Sequence, residues 1–469
     1  MASPGREAGR AEAQRAVLTL VALASALIPL NSTMIAVALP RVVDELGGGL
    51  RAASWLVSGY LIVMASLQPL AGKVGDRVGR RPLLLGGLAT FGLASAAAAA
   101  APSLGLLIAC RSLQALGAAI LFPNAIALLR EQLPTERRGR SFGLMGAVAG
   151  LAAAVGLPLG GLLVALTGWE GIFLVNLPLV ALALALAWSL AAPVPDRPSA
   201  RFDLLGAGML CAALMGLAAV IESLRALGFA GTVACAGALA ALLTLFVRRE
   251  LRHPDPVLQP RFFRRAAFSV ATAAIAAGNL AMYAVLLAVP VVFSHAAGWS
   301  NERIGLMLVP FALAMVVLSP VGGRLADRVG RPPIAVAGSA LFAAGLVPLA
   351  AGGADLPDVA FALTLALAGA GFGLATPALQ TAAIEALEAR HAGVASGVFS
   401  TSRYLGSIIA AGALALAAEG KAATLFWVAA AAAGASAALA GGLGGVRLRG
   451  RAPRLHTTPT ETEVASPGS

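Results

Sequence analysis

The chain has 469 residues, of which 59% are hydrophobic and 12% charged, with a mean hydropathy of +0.85. That leaves too little polar surface for a water-soluble protein of this length, which excludes a soluble enzyme or scaffold and requires an integral membrane protein. The formal net charge of +12 would suit a nucleic-acid partner in a soluble chain, but in a membrane chain its meaning depends on where the basic residues sit.

Arg6, Arg10 and Arg15 precede an apolar run over 16–40, longer than a signal-peptide core, so it is read as the first membrane span. Five more spans are expected at 52–72, 82–101, 104–128, 141–166 and 171–192. Three prolines, Pro193, Pro195 and Pro198, then break the pattern. Two spans follow at 203–223 and 228–248, an arginine-rich loop, and six more at 266–294, 303–322, 333–352, 357–383, 391–416 and 422–446. The expectation is an all-α integral membrane protein with fourteen spans in a six-two-six order. Residues 1–15 form an N-terminal tail, 16–192 one six-helix bundle, 193–265 a linker with the two extra helices, 266–446 a second bundle, and 447–469 a C-terminal tail.

Fourteen spans put 27 of the 34 Lys and Arg residues on the side that holds both termini and only five on the other, with Arg111 and Arg403 inside spans. By the positive-inside rule both termini are cytoplasmic, and the net charge needs no nucleic acid. Cys110, Cys211 and Cys235 lie in apolar runs without metal-ligand spacing. No phosphate-binding loop of the type Gly-x-x-x-x-Gly-Lys-Ser/Thr occurs, so neither nucleotide nor other cofactor is expected.

An eleven-residue stretch occurs twice. Gly72-Lys73-Val74-Gly75-Asp76-Arg77-Val78-Gly79-Arg80-Arg81-Pro82 returns 251 residues later as Gly323 to Pro333, with seven identities that include Asp327 and Arg328. Each copy is a knot of charge and glycine between apolar runs, as expected of one short loop used in two halves of a duplicated protein. Its Gly-x-x-x-Asp-Arg-x-Gly-Arg pattern resembles the signature loop of the major facilitator superfamily. That resemblance implies two pseudo-symmetric six-helix bundles around a central cavity. It also implies a conformational role for Gly72, Asp76, Arg77, Gly79 and Arg80, and for Asp327 and Arg328 in the second copy; the rival reading is that the arginines only set topology.

Further segments carry the resemblance along the chain. Arg111-Ser112-Leu113-Gln114-Ala115 looks like the family's Arg-x-x-Gln-Gly, and a buried, permanently charged Arg111 is a functional candidate unless it snorkels to the interface. Gly156, Pro158, Gly160 and Gly161 are similar to the helix-bending motif of drug exporters. The segment Trp169 to Pro178 resembles a stretch of the fourteen-helix drug:proton antiporters, with Trp169 expected as an interfacial anchor. Span one departs from that branch, for Asn31 stands where an aspartate is usual, and an amide cannot exchange protons. Glu222 could take over proton exchange or could be a solvated helix end paired with Arg225; Asp44, Glu45 and His295 read as loop residues. Arg403, in a segment similar to the family's Ser-Gly-x-x-Asn-Thr-x-Arg-Gln, is a second buried cation, and Asn279 and Gln380 are weaker polar candidates.

Together these imply an exporter of small amphipathic compounds in the cytoplasmic membrane of a bacterium. Asn31, Arg111, Gln114, Glu222 and Arg403 would line its path. The expected partners are the small-molecule substrate, protons and membrane lipids, with the protein acting as a monomer. A proton-independent uniporter or importer remains open, as does a non-transporting receptor or scaffold.

Overall fold

A computed structural model describes residues 4–132, 135–189, 203–254, 256–296, 298–387, 392–413 and 422–445. All regular elements among them are helical. In lipid a segment must satisfy its backbone polar groups internally, which for an isolated span only a helix does. The first half runs α1 (Pro4–Leu46), α2 (Gly49–Ala53), α3 (Trp55–Val78), α4 (Arg80–Ala99), α5 (Leu104–Gln132), α6 (Thr135–Thr167), α7 (Gly171–Leu174) and α8 (Asn176–Ser189). Next come α9 (Leu204–Ala226), α10 (Gly228–Arg252) and a 3-10 turn at Pro260–Arg264. The second half comprises α11 (Ala266–Ala296), α12 (Asn301–Val329), α13 (Arg331–Gly352), α14 (Asp358–Glu385), α15 (Ala392–Ala413) and α16 (Ala422–Gly441).

Among the described residues, twelve helices are long and apolar enough to cross a membrane, where the sequence led us to expect fourteen spans. The other two expected spans fall on α3 and α15. The described apolar stretch of α3 is Trp55–Gln68, and the sequence of that helix carries no charge before Lys73, while α15 is interrupted by Ser400-Thr401-Ser402-Arg403. Asp44 and Glu45, expected in a loop, belong to the last turn of α1, and the backbone of His295 belongs to α11.

Without a hydrophobic drive between helices in lipid, close backbone approach at small residues holds such a bundle together. The two halves use the same device at the same place. A Cβ added to Gly117 of α5 would lie 2.7 Å from the Gly87 carbonyl and from the Phe91 amide of α4. One added to Gly371 of α14 would meet the Phe342 amide and the Gly338 carbonyl of α13. Gly87 and Phe91 precede Gly338 and Phe342 by the same 251 residues that separate the two loops.

The halves meet where α6 packs on α12, α3 on α15 and α1 on α11. The extra helix α9 rests on α3 and α15, one from each half, while α10 touches only α9 and the 3-10 turn among the larger contacts. Phe229, Val233, Leu243 and Leu245 of α10 are accordingly exposed, as lipid-facing residues are. The α9–α10 pair is tied at one end by Asp203. Its Oδ1 accepts from the Gly206 amide (2.7 Å) and the Arg249 Nη2 (2.6 Å), and His253 Nδ1 lies 3.7 Å from Oδ2.

Burial acts to raise the Asp203 pKa, but the Arg249 guanidinium, the Gly206 amide and His253 outweigh it and hold the carboxyl below its ordinary 3.8. A carboxyl depressed on folding stabilises at pH above its unfolded value and loses that contribution as pH falls through the folded one. Asp203→Asn is expected to cost about 1.5–3 kcal/mol near neutral pH. Detergent melts of variant and wild type should converge as pH drops below 3.8; a constant gap would show that the carboxylate charge is irrelevant.

Candidate functional site

Two arginines lie within the expected spans, and the fold brings both to one interior cluster. Arg111 on α5 is 1% exposed, so it does not snorkel to the surface. Its Nη1 donates to Gln114 Oε1 (2.5 Å), its Nε to the Leu56 carbonyl of α3 (3.4 Å) and its Nη2 to the Asn31 carbonyl of α1 (3.5 Å). The guanidinium carbon stands 4.2 Å from the centre of the Tyr60 ring, a cation–π distance. Gln114 Nε2 in turn donates to Ser95 Oγ (2.7 Å), and Ser95 Oγ to the Phe91 carbonyl of α4 (2.8 Å). Arg111 therefore ties four helices through neutral acceptors and one aromatic face. Asn31, expected beside the path, does adjoin Arg111, but through its carbonyl; its side-chain Oδ1 is buried without a hydrogen-bond partner.

Arg403 on α15 is partly buried rather than sealed. Tyr404 beside it and Tyr283 of α11 lie within electrostatic reach of its charge. Tyr283 is also within reach of Arg111, and Tyr60 of both other phenols. These are the three tyrosines of the protein. The cluster stands at the junction of the halves, where Gln68 of α3 lies against the Tyr404 hydroxyl and Thr401 Oγ1 reaches the Ala65 carbonyl at 3.5 Å. Among the described residues, neither arginine forms an ion pair with a carboxylate.

The sequence reading named Arg111, Gln114, Asn31 and Arg403 but missed Tyr60 and Tyr283. Their signal was position, for tyrosines of membrane proteins gather at span ends, and these lie inside. The side chain of Glu222 lies outside the described ones. Asn279 is buried and donates to the Ile275 carbonyl one turn back (3.0 Å), a local bond within α11.

The two repeats, expected as short loops, are helical except at Gly79 and Gly330, with 72–78 in α3 and 323–329 in α12, and they share one backbone form. Gly79 and Gly330 have φ of +99° and +111°, the left-handed side that a Cβ makes costly, and each amide donates to a carbonyl four residues back at 3.1 Å. The arginine after each glycine then clamps the turn. Arg80 Nη1 donates to the Gly72 carbonyl (2.9 Å) and to Asn124 Oδ1 of α5 (3.1 Å). Arg331 donates to the Ala326 carbonyl (2.6 Å) and pairs with Asp327 (3.0 Å) and Glu385 of α14 (2.8 Å). Arg331 was missed by the sequence reading, although it repeats Arg80, whereas the named Arg328 is exposed. The side chains of Asp76 and Arg77 lie outside the described ones.

A Cβ on Gly75 would fall 1.7 Å from Asn124 Oδ1 and 2.5 Å from Arg80 Nη1. Gly75→Ala is therefore expected to break the clamp at a cost of about 1–3 kcal/mol, whereas Ala326 occupies the matching position of the second copy. A melt of the variant equal to wild type would refute the clamp.

The glycines of α6 serve both neighbours. A Cβ on Gly156 would meet Thr33 Oγ1 at 2.0 Å and the Leu30 carbonyl at 2.9 Å, and one on Gly160 would meet the Met34 Cα at 2.9 Å, so this edge lies on α1. On the other side Gly305 of α12 sits against the Leu157 carbonyl and Pro158, while Gly161 is buried. Trp169 is not the interfacial anchor expected, being 2% exposed. Its Nε1 donates to Glu45 Oε2 (2.9 Å), and its ring stacks edge-on with Phe173, because Glu45 extends α1 far enough to meet it.

Comparison with known proteins settles the family. The Major Facilitator Superfamily profile matches residues 21–411 and 271–463. The chain belongs to the major facilitator superfamily. This facilitator is 33% identical over 402 residues to the uncharacterised MFS-type transporter YvkA of Bacillus subtilis, covering 86% of this chain and 90% of the relative. It is 34% identical over 401 residues to the multidrug resistance protein Stp of Mycobacterium tuberculosis (84% and 74% covered) and 31% over 400 residues to a methylenomycin A resistance protein of Streptomyces coelicolor (85% and 84%). Its fold resembles the crystal structure of a D-xylose-proton symporter, with TM-score 0.65, 14% identity and coverage of 91% and 96%. The facilitator is a multi-pass membrane transporter of a small-molecule substrate, not an enzyme, and its relatives include multidrug and antibiotic resistance proteins.

Proposed function

We propose that this facilitator is a secondary active exporter of small amphipathic compounds, drugs or endogenous metabolites, working by proton antiport across the cytoplasmic membrane. It is a monomer of the fourteen-span branch with both termini inside. The observation that carries this reading is the polar cluster of Arg111, Tyr60, Tyr283, Tyr404 and Arg403 at the junction of the halves. Polar groups that deep in a membrane protein mark a solute or ion path. The paired glycine turns and their arginine clamps suit two halves that rock together around a fixed site. The resistance proteins among the relatives favour export of toxic amphipaths.

Proteoliposomes holding a solute supply the test. Under an imposed pH gradient an antiporter moves solute against its concentration gradient; solute that only equilibrates would refute proton coupling. The second reading is a proton-independent uniporter, and Asn31 favours it, because an amide replaces the carboxylate through which related exporters are expected to pass protons. Comparing the susceptibility of cells with and without the protein to chemically unlike toxicants would identify candidate solutes.

A further inference from the structure

Among the described residues the interior cluster has donors and positive charge but no matching acid. Arg111 and Arg403 bring two fixed cations and Tyr60, Tyr283 and Tyr404 three phenols. No described Asp or Glu pairs with either arginine. The two cations also differ in what they already hold. Arg111 is occupied by Gln114, two backbone carbonyls and the Tyr60 ring, whereas no described acceptor bonds to the Arg403 guanidinium, which is only partly buried. A partly buried guanidinium with no described acceptor keeps its donors free for an anion that enters beside it.

We infer that the solute is an amphipathic organic anion, whose carboxylate, sulfonate or phosphate binds Arg403 and the Tyr404 and Tyr283 hydroxyls at the junction of α3, α11 and α15. Arg111 acts behind Tyr60 as a fixed background charge. This rests on the export reading and deepens it. The inside-negative potential drives an anion outward, and 100 mV raises the outside-to-inside ratio of a monoanion at equilibrium by about fiftyfold. A cationic solute meets two like charges.

Two probes with one ring system and permanent opposite charges provide the test: 2-naphthalenesulfonate and naphthylmethyl-trimethylammonium. Equilibrium binding to the full-length purified protein and flux from proteoliposomes are both measured. The sulfonate is expected to bind and to leave faster when the interior is made negative. Arg403→Gln should weaken its binding at least about tenfold, Arg403→Lys should restore part of that loss, and Tyr404→Phe should weaken it less. Binding or flux of the cation equal to or greater than that of the sulfonate overturns the inference while leaving export intact, as does sulfonate binding indifferent to Arg403. Sulfonate binding that needs Arg403 without any flux supports the site and removes the export reading. Absence of binding by either probe overturns the inference.

Discussion

Arg111→Met is expected to reduce solute flux at least tenfold, and Arg111→Lys is expected not to restore it. The guanidinium reaches acceptors on α1, α3 and α5 and lies 4.2 Å from the Tyr60 ring centre. An ammonium lacks the planar fork to hold three separated acceptors while stacked on a ring. Losing the donors leaves a buried amide oxygen and two carbonyls with fewer partners, a destabilisation of about 1–3 kcal/mol, so the melting temperature should fall while the protein still folds. The larger loss is in transport, because Tyr60 and Gln114 are then no longer held in register. Flux at the wild-type rate in Arg111→Lys would show that charge alone suffices and that the geometry is incidental.

Gly156→Val is expected to be the most damaging single change on α6. Even the first added carbon would stand 2.9 Å from the Leu30 carbonyl and in collision with the Thr33 hydroxyl. The hydroxyl is itself held by the Pro29 and Leu30 carbonyls at 2.9 and 3.1 Å. Helix α6 would have to move off α1, and because its other side carries Leu157 and Pro158 against Gly305, the shift would push into the opposite half. Overpacking of this kind costs about 1–3 kcal/mol, and flux should be lost with it. Gly86→Ala is the control, since a Cβ there meets nothing within 4 Å. Equal melts for the two variants would sink the account of α6 as a tightly seated helix.

Periodicity of apolar runs, the doubled loop and the imbalance of basic residues were legible because lipid imposes its demands on each span separately. A segment is apolar enough to cross or it is not, and its flanking arginines lie near it in the chain. The loop pattern was legible for a similar reason, as a left-handed turn needs glycine at Gly79 and Gly330 whatever surrounds it. Legibility stopped at partners. Arg80 could be named, but not that Asn124 completes its clamp, nor that Glu385 plays that part for Arg331. Trp169 looked like an interfacial anchor because nothing local reveals that Glu45 lies beside it.

The same division applies to the polar cluster. The sequence by itself determined that this is a duplicated helical membrane protein with two arginines inside spans, for these follow from hydropathy and from a motif repeated at a set distance. Only the tertiary structure decided that the arginines belong to one cluster, that three tyrosines join them, and that Arg111 holds three acceptors while Arg403 holds none among the described residues. Those facts depend on contacts between helices up to some 340 residues apart, such as Thr401 with Ala65. In a membrane such contacts arise from close backbone approach at small residues spread over many spans, and so they leave no contiguous trace in the chain.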